Sequence, residues 1–309
     1  MPAVASETRQ LIAPNCWQID TLRAIPDLTI WSGVNVNKPK STAARKPVTR
    51  SSVHKDRSPG KIREVKYYGT AACQALWQQR PHDVIRIYIE EGRVPLFSAM
   101  LKWAAAQRKA YHIVTAQDLE KVTESVHHQG ICILARARAT VLFADLIRNV
   151  RQKKRPQLLV YLDGVENPHN LGAILRTCAH FGVRHVLGPA LRLPQLSPSA
   201  CRVAEGGAEY VDLVYLDDPV KQLHELKRSG FSVIATSVAH GASVYNCSFS
   251  ANVVLVLGSE VEGISAQLLH EADARLQIPG SGDVESLNVS VACAVLISEF
   301  YRQHQVRLK

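Results

Sequence analysis

Three stretches of the chain bring together residue types that could do chemistry. The first is LVYLDGVENPHNLGAILRTCAHFG, residues 159–182. An apolar segment runs into a turn-rich loop and then into a helical pattern over 171–181. Leu171, Ile174, Leu175 and Cys178 recur at i, i+3, i+4 and i+7, the stripe such a helix buries. Asn170 stands where a cap would satisfy the first free backbone N–H groups. Arg176 lies about 150° around from the stripe, and its side chain leans back over Gly172, where no side chain obstructs it. A guanidinium beside a helix start, which already attracts anions, suits a phosphate or a developing oxyanion. A solvated surface arginine is the alternative these residues alone leave open.

The second stretch is VVLVLGSEVEGIS, 253–265: a buried strand ending at Gly258, with Glu260 in a glycine-bounded loop. Gly258 would let a ligand approach the backbone closely, and an ordinary tight turn is the alternative. The third is LQIPGSGDVESLNVSVACAVLISEF, 276–300, a strand, a flexible GSGDVES loop and a helix. Val289, Ala292, Cys293, Leu296, Ile297 and Phe300 form the buried face of that helix, and Ser286 or Asn288 caps its start. GSG after a strand is a weak dinucleotide signal here, because the third glycine of GxGxxG is missing. His127 and His128 have no metal-spaced partner and read as a turn. No GxSxG, HExxH or Walker pattern occurs.

These stretches need a scaffold. From Glu64 the texture reads as helix 71–79, strand 84–89, helix 95–107, strand 110–114 and strand 131–135, a small α/β domain over 64–138. Residues 139–157 read as a basic linker. From 158 to 304 a second pattern runs: strands at 158–162, 185–187, 211–214, 232–236, 253–257 and 276–278, helices at 198–204 and 220–229, and a closing helix over 288–303. Apolar strands alternating with helices predict a mainly parallel sheet covered on both faces, with ligands outside the strand carboxyl ends.

The chain has 309 residues, 46% of them hydrophobic, enough for a sizeable core, so a wholly disordered protein is excluded. No apolar run approaches the roughly 18 residues of a membrane span, and no secretory signal is legible at the N-terminus. Seven cysteines, an odd number without CxxC spacing, suit reduced thiols in a cytoplasmic setting. The net charge of +10 is unevenly placed: residues 38–63 hold +8 and residues 148–155 hold +5, so the rest of the chain is net acidic. Basic segments of this kind favour phosphate backbones. Residues 1–62 read as a basic, disordered leader without an apolar period, expected to add affinity for RNA rather than selectivity.

Together the three stretches resemble the signature motifs of the SpoU/TrmH family of RNA ribose 2′-O-methyltransferases. The first motif is Asn167-x-x-Asn170-x-Gly172-x-x-x-Arg176-Thr177. The second is the strand ending Gly258-Ser259-Glu260, with Gly263. The third is Ile278-Pro279 followed by Ser286-Leu287-Asn288-Val289-Ser290. Residues 64–137, with YYGTAACQAL, RKAYHIV and HHQGICIL, resemble the substrate-binding domain of many members. With the basic leader, they look closest to the YfiF-type tRNA/rRNA methyltransferase branch.

The resemblance implies a deep trefoil knot in the C-terminal α/β domain. It implies S-adenosyl-L-methionine held by Thr236, Gly258, Ile278, Leu287 and Asn288, and a tRNA or rRNA substrate. It assigns the catalytic work to Arg176, with Asn170, Glu260, Ser286 and Asn288 orienting it and the ribose. It further implies a homodimer with the site at or near the interface, for which Val291 and Val295 would supply apolar surface. Gly280-Ser281-Gly282 departs from relatives that carry a bulkier residue after the proline. The competing reading is a non-catalytic RNA-binding or ribosome-associated protein that keeps the fold.

Overall fold

A segment that is apolar at nearly every position, such as QLLVYLD, is stable as a strand only where both faces are covered. In the computed structural model, which describes residues 63–237 and 241–304, every residue of that segment, β5 (Gln157–Asp163), is buried. It lies in the interior of a seven-stranded sheet with β6 (His185–Pro189), β7 (Asp212–Leu216), β8 (Ser232–Thr236), β9 (Ala242–Ser243), β10 (Asn252–Gly258) and β11 (Ala274–Gln277). The order is β7-β6-β5-β10-β8-β11-β9, and every pairing is parallel. Alternate residues serve opposite faces. Val253, Leu255 and Leu257 pack with α5 (Pro168–His180) and α9 (Val289–His304). Val254 and Val256 pack with α4 (Phe143–Gln152), α7 (Pro219–Arg228) and α8 (Ala266–Glu271).

The preceding residues build a smaller sheet from β1 (Glu64–Tyr68), β2 (Val84–Glu90), β3 (Ala110–Val114) and β4 (Ile131–Arg136). Its order is β1-β4-β2-β3, with β4 antiparallel to both neighbours and β2 parallel to β3. One face carries α1 (Thr70–Gln79) and α2 (Ser98–Ala106); α3 (Ala116–Thr123) covers part of the other. The core of this sheet continues without a break into α5 and α6 (Pro198–Val203) of the larger one. At the junction Arg80 forms a bidentate pair with Glu209 at 2.7 and 3.0 Å.

Several expectations are corrected. The supposed basic linker 139–157 contains α4, whose Leu146, Ile147 and Val150 are buried against the large sheet. Phe143, Leu146, Ile147 and Val150 already have helical spacing, but the run of bases around them obscured it. Strand β1 and helices α3 and α8 were not expected. The helix expected over 95–107 begins only at Ser98. Residues 1–62, which carry the leader and most of the excess charge, lie outside the described residues. Six described cysteines are free thiols, five of them buried, in keeping with small core residues. Among the described residues no helix is long and apolar enough to cross a membrane.

His185, at the start of β6, gives the fold a pH dependence. Its Nδ1 is buried, has no hydrogen-bond partner among the described residues and lies 3.6 Å from Asp212. Burial pushes its pKa down to about 4; Asp212 opposes this, while Lys153, Arg138 and Arg184 reinforce it. An unfolded imidazole titrates near 6.5, so between about 6.5 and 4 the unfolded chain takes up a proton that the folded one refuses. Stability therefore falls as pH falls through that window, by about 3 kcal/mol in all. Thermal midpoints measured from pH 7 to pH 4 should drop more steeply for the wild type than for His185→Gln. Parallel curves would show that another group governs the acid limb.

Candidate active site

Because the large sheet is parallel, the carboxyl ends of β5, β10, β8 and β11 open on one edge, and all three motif loops leave from it. The first loop follows β5 and enters α5. Pro168 takes the first helical position, where its missing N–H is no loss, and Asn167 caps the helix by accepting from His169 N at 2.8 Å. The cap is thus Asn167, not Asn170, and the helix starts three residues earlier than its apolar stripe announces. Asn170, one turn in, is left free for other contacts.

Those contacts join the three motifs. Glu260 Oε1 accepts from Asn170 Nδ2 at 3.1 Å and from Asn288 Nδ2 at 2.7 Å. Asn288 Nδ2 also donates to Asn170 Oδ1 at 3.0 Å. Asn288 Oδ1 accepts from Ser290 N at 2.9 Å and from Ser290 Oγ at 2.6 Å, so Asn288, rather than Ser286, holds the start of α9. The result is a carboxylate at the solvent edge, fixed by two amides, one from the first turn of α5 and one from the loop before α9, 90 and 28 residues away in sequence. Its Oε1 is occupied; its other oxygen is open to a hydroxyl or a cation.

Arg176 and Ser286 do not join this group. Both are exposed, and neither makes a hydrogen bond or ion pair among the described residues. Six residues separate Asn170 from Arg176, so the arginine faces about 120° away around α5 and about 9 Å along it. Gly172 is small for a different reason from the one expected. A Cβ there would sit 2.6 Å from Ala200 O and 2.8 Å from Val203 Cβ, so the glycine lets α6 pack against α5 and makes no open path for Arg176.

The five positions expected to hold a cofactor converge better. Thr236 ends β8, Gly258 ends β10, Ile278 follows β11, and Leu287 and Asn288 precede α9. Gly258 is again required by its own chain: a Cβ would lie 2.3 Å from the Gly263 carbonyl carbon. The 259–263 loop folds back as a tight bridge, Ser259 N to Gly263 O at 3.2 Å and Gly263 N to Ser259 O at 3.0 Å. Ile278 is half-buried, and Leu287 leaves 48% of its surface in water.

Two residues that sequence reading missed brace these loops. Asp163, buried at the end of β5, accepts from Ser265 N at 2.7 Å and ties the first loop to the second. Arg192, beyond β6, donates to Glu166 at 3.3 Å and to Glu262 at 2.7 Å, clamping the same two loops from outside. Asp163 had a legible signal, a single acid closing an apolar strand. Arg192 had none, since LRLPQL has no period.

The model of the SpoU rRNA Methylase family matches residues 157–298, and that for RNA 2′-O ribose methyltransferase substrate binding matches residues 67–140. The uncharacterized tRNA/rRNA methyltransferase YfiF of Escherichia coli O157:H7 is 39% identical over 242 residues, 78% of this chain and 69% of that one. The 23S rRNA (guanosine-2′-O-)-methyltransferase RlmB of Pseudomonas putida is 33% identical over 245 residues, 78% of this chain and 98% of its own. The SpoU methyltransferase AviRb of Streptomyces viridochromogenes, solved in complex with AdoMet, superposes with a TM-score of 0.65 over 79% of this chain and 92% of its own. At 19% identity that likeness is one of fold. The extent and identity of these matches, over the same segments that carry the three motifs, mean that the chain belongs to the SpoU rRNA methylase family.

Proposed function

We propose that this protein transfers a methyl group from S-adenosyl-L-methionine to a ribose 2′-hydroxyl of tRNA or rRNA. The observation that carries the reading is the Asn170–Glu260–Asn288 group, which draws one residue from each motif to the edge where the strand ends converge.

The residues at that edge suit the cofactor. Positions 236, 258, 278 and 287 offer backbone groups, one hydroxyl and two aliphatic side chains, and no charge. Such a set accepts an uncharged adenine by main-chain hydrogen bonds and apolar contact, and the exposed Leu287 is the kind of surface a ring would cover. When bound, S-adenosyl-L-methionine supplies a sulfonium methyl open to in-line displacement by an oxygen. The chain's part is alignment and charge. The open oxygen of Glu260 receives the hydroxyl's hydrogen bond, aims its lone pair and takes the proton that the oxygen gives up as it is methylated. Asn170 and Asn288 keep that carboxylate from turning. Arg176 steadies the neighbouring phosphate or the developing alkoxide, tasks for which a permanently charged fork is better suited than for proton removal. Ser286, in the open loop before α9, is left to contact the ribose.

Within one chain Arg176 points away from Asn170 and the Glu260 and Asn288 bound to it, which supports a homodimer in which one copy's arginine serves the other's carboxylate. Val291, 49% exposed on α9, supplies apolar surface for such an interface, whereas Val295 is already half-buried. Light scattering at micromolar concentration should give twice the chain mass, and a monomer would overturn the dimer. The strand order supports the trefoil knot of the family: β10 inserts between β5 and β8, and β11 between β8 and β9. Gly241 packs directly on β11, where a Cβ would lie 2.7 Å from the Leu276 carbonyl carbon.

The test of the function is calorimetry with S-adenosyl-L-methionine, followed by mapping of 2′-O-methylation in tRNA and rRNA with and without the gene. Cofactor binding together with one lost methyl mark is expected. Unchanged methylation would favour the non-catalytic RNA-binding alternative.

A further inference from the structure

The smaller sheet has two unequal faces. Registers place Tyr67, Ile133 and Ile87 in one row on the face covered by α1 and α2, where all three are buried. On the opposite face lie the rows Lys66–Leu134–Arg86–Ala110 and Tyr68–Cys132–Tyr88–His112. Helix α3 covers Tyr68 and Cys132 through Leu119 and reaches only the flank of Tyr88. Beyond it, toward the unpaired edge strand β3, Arg86, Ala110 and His112 are exposed and Tyr88 is half-buried.

These side chains are organised. The Tyr88 and His112 rings stack with centroids 5.5 Å apart and planes 22° from parallel. Arg86 Nη1 donates to the Tyr88 hydroxyl at 3.3 Å, which lays the guanidinium beside the ring pair. Its charge is not consumed by an ion pair among the described residues, although Glu64, on the same face, lies near enough to favour it. Lys66 and the exposed Arg136 add cations along the face, and Lys66 is shared with Glu124 at 3.0 Å. A stacked aromatic pair with a guanidinium alongside, its His112 side open to water and only the Tyr88 flank covered by α3, matches a nucleobase with its phosphate better than it matches an aliphatic partner.

We infer that the exposed face of β2 and β3 is a stacking platform for an unpaired nucleotide of the RNA substrate, with Tyr88 and His112 taking the base and Arg86 the adjoining phosphate. RNA as the occupant rests on the methyltransferase reading; the platform itself rests on the stacked rings and the guanidinium beside them. It stands on the sheet edge farthest from β1, the strand that meets α6, so it grips RNA away from the reacting ribose.

The test is fluorescence anisotropy of the full-length protein with a short unstructured RNA and with a duplex of equal length, across a salt series. Arg86 and His112 are exposed, so their variants should keep the wild-type thermal midpoint. His112→Ala should weaken single-strand binding about tenfold, while His112→Phe, which keeps a ring, stays within about twofold of wild type. Arg86→Ala should weaken binding and reduce the salt slope by about one. Duplex affinity should not respond to His112. Equal single-strand affinity for His112→Ala and wild type, or equal loss for the Ala and Phe variants, overturns the platform and leaves this face to a protein partner. Cofactor calorimetry on the same wild-type sample separates the two readings. His112-dependent RNA binding without S-adenosyl-L-methionine binding would sink the methyltransferase reading alone, and cofactor binding with His112-independent RNA affinity would sink the platform alone.

Discussion

Arg176→Ala should lower methyl transfer by roughly two to three orders of magnitude, the usual consequence of removing one donor to a developing oxyanion. The fold should not notice. The side chain is exposed and unpaired among the described residues, and alanine is the better helix former at an exposed position of α5. Affinity for S-adenosyl-L-methionine should also be unchanged, because Arg176 lies on α5 and is not among the strand-end and loop positions that would hold the cofactor. Arg176→Lys keeps the charge but not the planar fork, and should fall between the two. Single-turnover methylation of a verified RNA, with calorimetry on the same preparations, reads all three quantities. A sharper version mixes Arg176→Ala with Glu260→Ala. If one copy's arginine serves the other copy's carboxylate, mixed dimers regain part of the activity that each variant lacks. Wild-type turnover by Arg176→Ala would return this residue to an ordinary solvated arginine.

Glu209→Ala should produce the largest loss of stability, about 3–5 kcal/mol, with a fall in thermal midpoint on the order of 10 °C. Arg80 is 7% exposed and Glu209 8%. The Arg80 guanidinium also donates to Arg136 O at 2.7 Å and to Asp83 at 3.2 Å, and lies 5.1 Å above the Tyr67 ring. Burial works against its charge, and the Glu209 carboxylate, by hydrogen bond and by field, more than offsets that. The same burial raises the Tyr67 hydroxyl to about 12, so it adds no charge to the Glu209 and Asp83 carboxylates at neutral pH. Deleting the Glu209 carboxylate takes the bidentate partner from a buried cation at the junction of the two sheets and leaves it only the single carboxylate contact to Asp83 at 3.2 Å. The double change Arg80→Met with Glu209→Leu removes both charges and should be far less destabilising than Glu209→Ala alone. Urea titrations of the three proteins decide this, and equal losses for single and double variants would mean that shape, not charge, governs the junction.

Local pattern was a good guide to the elements themselves. Strands 110–114 and 232–236 occur with the expected bounds, and the stripe of Leu171, Ile174, Leu175 and Cys178 is wholly buried. The closing helix buries Val289, Cys293, Leu296, Ile297 and Phe300, with only Ala292 of its expected face half-buried. These features follow from periodicity, because burial of one face is imposed on neighbouring residues together. The motif residues were legible as types in order along the chain, and the strand-end rule placed their loops on one edge.

Only the tertiary structure decided which of those residues meet. Asn170, Glu260 and Asn288 converge because β10 pairs directly with β5 and because α9 starts beside α5, contacts that span 90 and 118 residues and have no signature in local pattern. The same lack of long-range information hid why Gly172 and Gly258 are glycines. Each makes room for a distant or returning piece of the chain, α6 in one case and Gly263 in the other. It also separated Arg176 from its expected partners: helical spacing sets the direction a side chain takes from its own axis, but the neighbours found there depend on how the sheet orders its strands.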